Sequence, residues 1–123
     1  MKRKNTRRAV LVRPRIYLGD DISVGPGKID LLRAVDEARS ITAAARALGI
    51  PYKRAWLLID TLNQGFGRPV VETATGGKGG GGASLTALGQ QLVRLYEALE
   101  KRLNARAAPE LDALRRLADR SAS

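Results

Sequence analysis

Tyr52, Lys53, Arg54 and Trp56 stand close together, and Lys78 sits in the glycine run Thr75 to Gly82, TGGKGGGG. Long cationic side chains beside flat aromatic rings suit base edges and phosphate oxygens, because an arginine fork matches a guanine edge and a lysine matches a phosphate charge. Ser40 and Thr42 add hydroxyls able to reach a phosphate, with helix capping as the competing use of Ser40. Covalent and metal chemistry have no comparable set. The chain contains no cysteine and no histidine, which removes thiols, disulfides, zinc sites of the usual ligand types and imidazole bases together. No cofactor, metal or enzymatic activity is expected. A formal charge of +10, from 22 Lys+Arg against 12 Asp+Glu, makes a polyanion the natural partner.

Two phosphate-binding motifs can be tested against the glycine run. A P-loop needs serine or threonine after its Gly-Lys pair and a glycine upstream, whereas Gly77-Lys78 is followed by Gly79 and the upstream position is Glu72. Gly77, Gly79 and Gly82 satisfy the spacing of a dinucleotide fingerprint, but that motif must lie between a strand and a helix with a parallel strand to follow, and no later strand is expected. A hairpin suits the run better: PVVETA (69–74) as one strand, Ala83 to Leu85 as its return, and a glycine tip carrying Thr75 and Lys78. Such a wing lets backbone and Lys78 approach a DNA backbone closely.

The elements that must hold these side chains are legible in part. Ser40 to Asn63 reads as two short helices about Gly49: Ser40 as N-cap, then an alanine-rich first helix ending at Leu48, and a second helix from Pro51 with Ala55, Ile59 and Leu62 on one inward stripe. Ala44, Ala45, Leu48 and Ile50 are expected to be structural. Trp56 reads equally as core or as groove-facing. This is the pattern that places a recognition helix in a major groove, with Tyr52, Lys53 and Arg54 at its start. A supporting helix is expected from about Lys28 to Ala38, carrying Leu31, Leu32 and Val35 inward. Before it, Ala9 to Leu18 alternates like a strand, with Val10, Val12, Ile16 and Leu18 on one side and Arg13, Arg15 and Tyr17 on the other; Pro14 marks it as an edge or a break. Gln64 to Arg68 reads as a loop.

After Thr86, a plausible N-cap, Leu88, Leu92, Leu95, Leu99 and Leu103 recur at helical steps, with Ala107, Leu111, Leu114 and Ala118 continuing the face. Pro109 predicts a break near Ala108 and a second short helix from about Pro109 to Ala118. So long an apolar face predicts a homodimer through this region, with folding back on its own domain as the alternative. The expected divisions are a basic tail (1–8), a DNA-binding domain (9–85) and a helical dimerisation region (86–123). The fold class is α+β, mainly α: a winged helix-turn-helix with an N-terminal edge strand, a two-stranded wing and a long C-terminal helix. No apolar run reaches the roughly 18 residues of a membrane span, and the basic N-terminus lacks the apolar stretch of a signal peptide. A cytoplasmic protein is expected.

Gly25-Pro26-Gly27, Tyr52-Lys53-Arg54-Ala55-Trp56, Ala74 through Ala83, Leu85-Thr86 and Gly89 together resemble the N-terminal DNA-binding domain of the ModE family of molybdenum-responsive transcriptional regulators, itself related to the LysR-type winged helix. The resemblance implies a dimer that binds a palindromic operator in double-stranded DNA, often as a repressor of molybdate-uptake genes. In that family separate C-terminal domains bind the oxyanion. With the sequence ending at Ser123, the expectation is a stand-alone form, or one regulated by another component, in which molybdate does not bind this chain directly. The alternative reading is a nucleoid-type or RNA-binding basic protein with similar affinity for unrelated duplexes.

Overall fold

The computed structural model describes residues 11–74 and 82–122. Strands β1 (Ile16–Leu18) and β2 (Ile22–Val24) form an antiparallel hairpin, with Ile16 opposite Val24 and Leu18 opposite Ile22. Helices α1 (Pro26–Ala38), α2 (Ile41–Leu48) and α3 (Tyr52–Phe66) follow. Strands β3 (Val71–Ala74) and β4 (Gly82–Leu85) make a second antiparallel pair, with Val71 opposite Leu85 and Ala74 opposite Gly82. Helices α4 (Ala87–Arg106) and α5 (Ala108–Ala122) complete the order. This is a mainly helical α+β fold, a helix-turn-helix followed by a two-stranded wing. Among the described residues no helix is long and apolar enough to cross a membrane.

The expected strand from Ala9 to Leu18 is corrected: pairing begins only at Ile16, and Ala9 and Val10 lie outside the described residues. Pro14 has no N–H for a ladder, and side chains of α4 take over the backbone partners instead. Asn104 accepts from the Val12 N–H at 2.6 Å and donates to the Val12 carbonyl at 2.9 Å, so its amide stands in for a neighbouring strand. The Tyr96 hydroxyl donates to the Pro14 carbonyl at 2.7 Å. Between them Arg13 reaches Asp30 of α1 at 2.7 Å and Glu100 of α4 at 3.2 Å. These contacts raise the pKa of the Arg13 guanidinium, above all through the hydrogen bond to Asp30. Residues 11–15 are therefore a strap laid along α4.

Other boundaries shift for local reasons. Helix α1 begins at Pro26, ahead of the expected Lys28, because proline's missing N–H costs nothing in a first turn. Helix α3 runs through Gly65 to Phe66, where a loop was expected. A side chain at Gly65 would come within 2.7 Å of Ile22, so this glycine makes room for the β1–β2 hairpin. Gly49 ends α2 with φ 69°, the left-handed conformation that turns the chain.

The core is built from Ile29, Leu31, Leu32 and Val35 of α1, Ile41, Ala44 and Ala45 of α2, and Ala55, Ile59 and Leu62 of α3. Val70, Leu85 and Tyr96 close it from the wing base and α4. Each large aliphatic side chain here contributes about 1.5–3 kcal/mol by leaving water. The alanines let α2 cross close to its neighbours. Leu88 and Leu92 of α4 pack against this core. Leu95 and Leu99 do not share that face and remain 62% and 36% exposed, while Tyr96 takes the buried position between them. Helix α4 stops at Ala107, and Pro109 sits in the first turn of α5, as the predicted break requires; α5 then continues past the expected Ala118 to Ala122.

Candidate nucleic-acid interface

Helix α2 opens at Ser40, whose extended backbone and hydroxyl cap the first turn by accepting from the Ala43 N–H at 3.0 Å. Ser40 therefore caps α2. Thr42 is exposed in that same turn. Leu48, expected to be structural, is instead 38% exposed because the helix ends there and the inward positions are taken by Ala44 and Ala45. Ile50, by contrast, packs against the core.

Helix α3 starts at Tyr52, with Pro51 as its N-cap position. Burial of Ala55, Ile59 and Leu62 turns Lys53 and Arg54 outward, where both are exposed. Leu57, 59% exposed, lies one turn beyond Lys53 on the same outer face, an apolar surface of the kind that suits a thymine methyl. Trp56 settles between its two alternatives. It packs half-buried against the core, its ring stands edge-on to Tyr52 with centroids 6.4 Å apart, and its indole N–H donates to the Tyr52 hydroxyl. The Tyr52 ring, 50% exposed, is thereby held at the mouth of the helix. Further along, Gln64 donates to Asp60 at 2.9 Å and Thr61 to the Leu57 carbonyl at 2.7 Å, so polar groups there are satisfied within the helix. Free donors gather in the first turn.

Only some of the cations are paired. Arg13 and Arg33 are ion-paired to Asp30, Glu97 and Glu100 across α1 and α4, and Arg115 and Arg116 to Asp112 within α5. Lys53 and Arg54, like Arg46 in the last turn of α2, form no ion pair among the described residues. Exposed cations without an acidic partner suit a phosphate backbone, and α4 carries others of the same kind in Arg94, Lys101, Arg102 and Arg106.

The wing is anchored at its base. The Val70 N–H donates to Asn63 at 2.8 Å and the Val70 carbonyl accepts from the Thr86 N–H at 3.0 Å, which joins α3, β3 and the start of α4. Thr86 also caps α4 by accepting from the Gly89 N–H at 3.1 Å. The Ala83 N–H of β4 donates to the Arg39 carbonyl at 3.0 Å, tying the wing to the turn between α1 and α2. Asn63 and Arg39 were not among the expected site residues, since both act through contacts distant in sequence. Thr75 and Lys78, the expected tip contacts, lie outside the described residues.

Comparison with known proteins agrees with this architecture. The profile of the bacterial regulatory helix-turn-helix proteins of the lysR family matches residues 27–90. The chain is 49% identical over 84 residues to the DNA-binding transcriptional dual regulator ModE of Escherichia coli K12, an alignment covering 68% of this chain and 32% of that protein. It is 44% identical over 77 residues to the molybdenum-pterin-binding protein MopB of Rhodobacter capsulatus, covering 63% and 28% respectively. The chain therefore spans about a third of the length of the curated relatives it matches. Among solved structures, ArgP from Mycobacterium tuberculosis superposes with a TM-score of 0.51 at 26% identity, covering 71% of this chain and 30% of that one. The CbnR DNA-binding domain, from its complex with DNA, superposes with a TM-score of 0.54 at 22% identity, covering 72% and 94%.

Proposed function

The chain belongs to the lysR family of bacterial regulatory helix-turn-helix proteins, carrying the helix-turn-helix domain it shares with the ModE regulators, and from that premise we propose that it is a sequence-specific repressor acting on genes of molybdate transport or molybdenum metabolism. The observation that carries the DNA-reading part is the first turn of α3, where Lys53 and Arg54 are exposed, without ion pairs among the described residues, beside the propped ring of Tyr52. In this reading α3 enters the major groove. Arg54 reaches a guanine edge, Lys53 and Tyr52 contact backbone or base at the groove mouth, and Trp56 acts by holding Tyr52. Thr42 and the capped turn at Ser40 approach a phosphate, and Thr75 and Lys78 follow the neighbouring backbone from the wing. The molybdenum connection rests on the similarity to ModE and MopB.

The same reading divides the chain into a basic tail (1–8), the DNA-binding domain (9–85) and a dimerising helical region (86–123). Leu95 and Leu99 of α4 and Leu114 of α5, the last 59% exposed, support pairing of two copies through α4 and α5. A dimer presents two α3 helices to a palindromic operator.

Selection of bound duplexes from a random pool, followed by binding of the selected site and of a scrambled site, tests the function. Arg54→Ala is expected to narrow the preference for the selected site. Lys78→Ala is expected to weaken both duplexes and to lower the salt slope by about one unit. A protein that selects no sequence, and loses affinity with salt equally on every duplex, would instead be a nucleoid-type binder.

A further inference from the structure

Among the described residues Arg39 is the only one other than glycine with positive φ, at φ 60° and ψ 27°. It ends α1 in the left-handed conformation, its N–H donating to the Val35 carbonyl at 2.8 Å. Helices α2 and α3 make the same turn with Gly49 and Gly67. A side chain in that conformation is disfavoured relative to glycine, because Cβ crowds the backbone. The turn therefore needs only the backbone of residue 39, and the arginine side chain is carried against local preference.

Among the described residues that side chain makes no hydrogen bond or ion pair. Asp36 and Glu37 in the preceding turn of α1 and Glu72 on β3 are the acidic neighbours, and none forms an ion pair with Arg39. The residue is exposed, and it lines an open groove with Pro69 and the wing strands, from Glu72 through Ala74 to Ser84. Its carbonyl is held by the Ala83 N–H, and a side chain at Gly82 would come within 3.4 Å of that carbonyl. Arg39 is thus fixed where the helix-turn-helix meets the wing.

We propose that Arg39 is a further DNA-backbone contact, a guanidinium that grips a phosphate between those reached from α2 and those reached from the wing. The proposal rests on the DNA-binding reading above. Its contact is with phosphate alone, so it adds affinity for any duplex and no sequence preference.

Arg39→Gly separates the two consequences, because the variant suits the turn better. The thermal midpoint is expected to rise by roughly 3–6 °C, while affinity for a labelled mixed-sequence duplex falls. Each phosphate contact contributes about 0.9 to the slope of log K against log salt, so the slope should drop by about that amount per chain, and affinity near 0.1 M salt by roughly eight-fold. Arg39→Lys, which keeps the charge, should retain most of the slope. A more stable Arg39→Gly protein with the wild-type slope would overturn the proposal and leave the DNA-binding reading standing. If the wild-type protein itself failed to bind the duplex, both would fall.

Discussion

Replacing Gly89 by alanine tests how the wing is seated. A Cβ there would lie 2.2 Å from the Val70 carbonyl oxygen and 3.3 Å from the Leu85 side chain. Carbon and oxygen approach no closer than about 3.3 Å even in weak C–H···O contacts, so α4 and Val70 must part by about 1 Å. The same carbonyl accepts from the Thr86 N–H at 3.0 Å, and such a displacement carries that bond out of range. Overpacking of this kind costs about 1–3 kcal/mol, and the lost hydrogen bond about 1 kcal/mol more. The gain from alanine's helix preference returns less than about 1 kcal/mol. The net loss is about 2–3 kcal/mol, or a midpoint roughly 10–15 °C lower by circular dichroism. Gly27→Ala is the control, since a Cβ at Gly27 meets nothing within 4 Å. It should be neutral or slightly stabilising. Equal midpoints for the two variants would refute this account of the wing base.

Three further outcomes follow from the strap and the outer face of α4. Arg13→Ala removes the bridge between Asp30 and Glu100 at a site only 27% exposed, and should cost about 1–2 kcal/mol in urea unfolding; a double-mutant cycle with Asp30→Asn that shows no coupling would contradict it. Burial pushes the Tyr96 phenol above the ordinary tyrosine range. A raised folded value means that its contribution to stability is intact below about pH 10 and is lost as pH rises through the folded pKa. Absorbance titration should show one of the 3 tyrosines ionising late, and Tyr96→Phe should abolish that step. Paired Leu95→Asp and Leu99→Asp changes should weaken self-association at least about ten-fold in sedimentation, whereas a wild-type chain that sediments as a monomer at micromolar concentration would end the dimer proposal.

The helix-turn-helix was readable because its signals are local: a serine that caps, a glycine that turns, and apolar positions at helical spacing. The wing strands were readable for a similar reason, with β3 and β4 lying within or beside the expected segments. Helix α4 was harder, because its leucines form one apparent stripe that serves two directions. Leu88 and Leu92 meet the core, Leu95 and Leu99 do not, and Tyr96 enters because its hydroxyl finds the Pro14 carbonyl 82 positions away. Alternation in residues 9–18 resembled one strand, and Ile16–Leu18 does pair, yet the partner of Val12 is a side-chain amide on a helix, for which no periodicity exists. The turn at Arg39 was implied by the expected helix end at Ala38 and the cap at Ser40, but its left-handed conformation was not, because arginine is a good helix former.

The strap has a consequence for the order of assembly. Val12 and Asn104 are separated by 92 positions, and Arg13 and Glu100 by 87, so these contacts close most of the chain into a loop. Closing so large a loop is entropically costly before the intervening helices exist. Residues 11–15 are therefore expected to dock late in folding and to detach early in unfolding, ahead of the helical core. Hydrogen exchange at the Val12 amide should report this partial opening separately from global unfolding. Because the strap occupies one flank of α4, only the other flank would be open to a second chain in the proposed dimer.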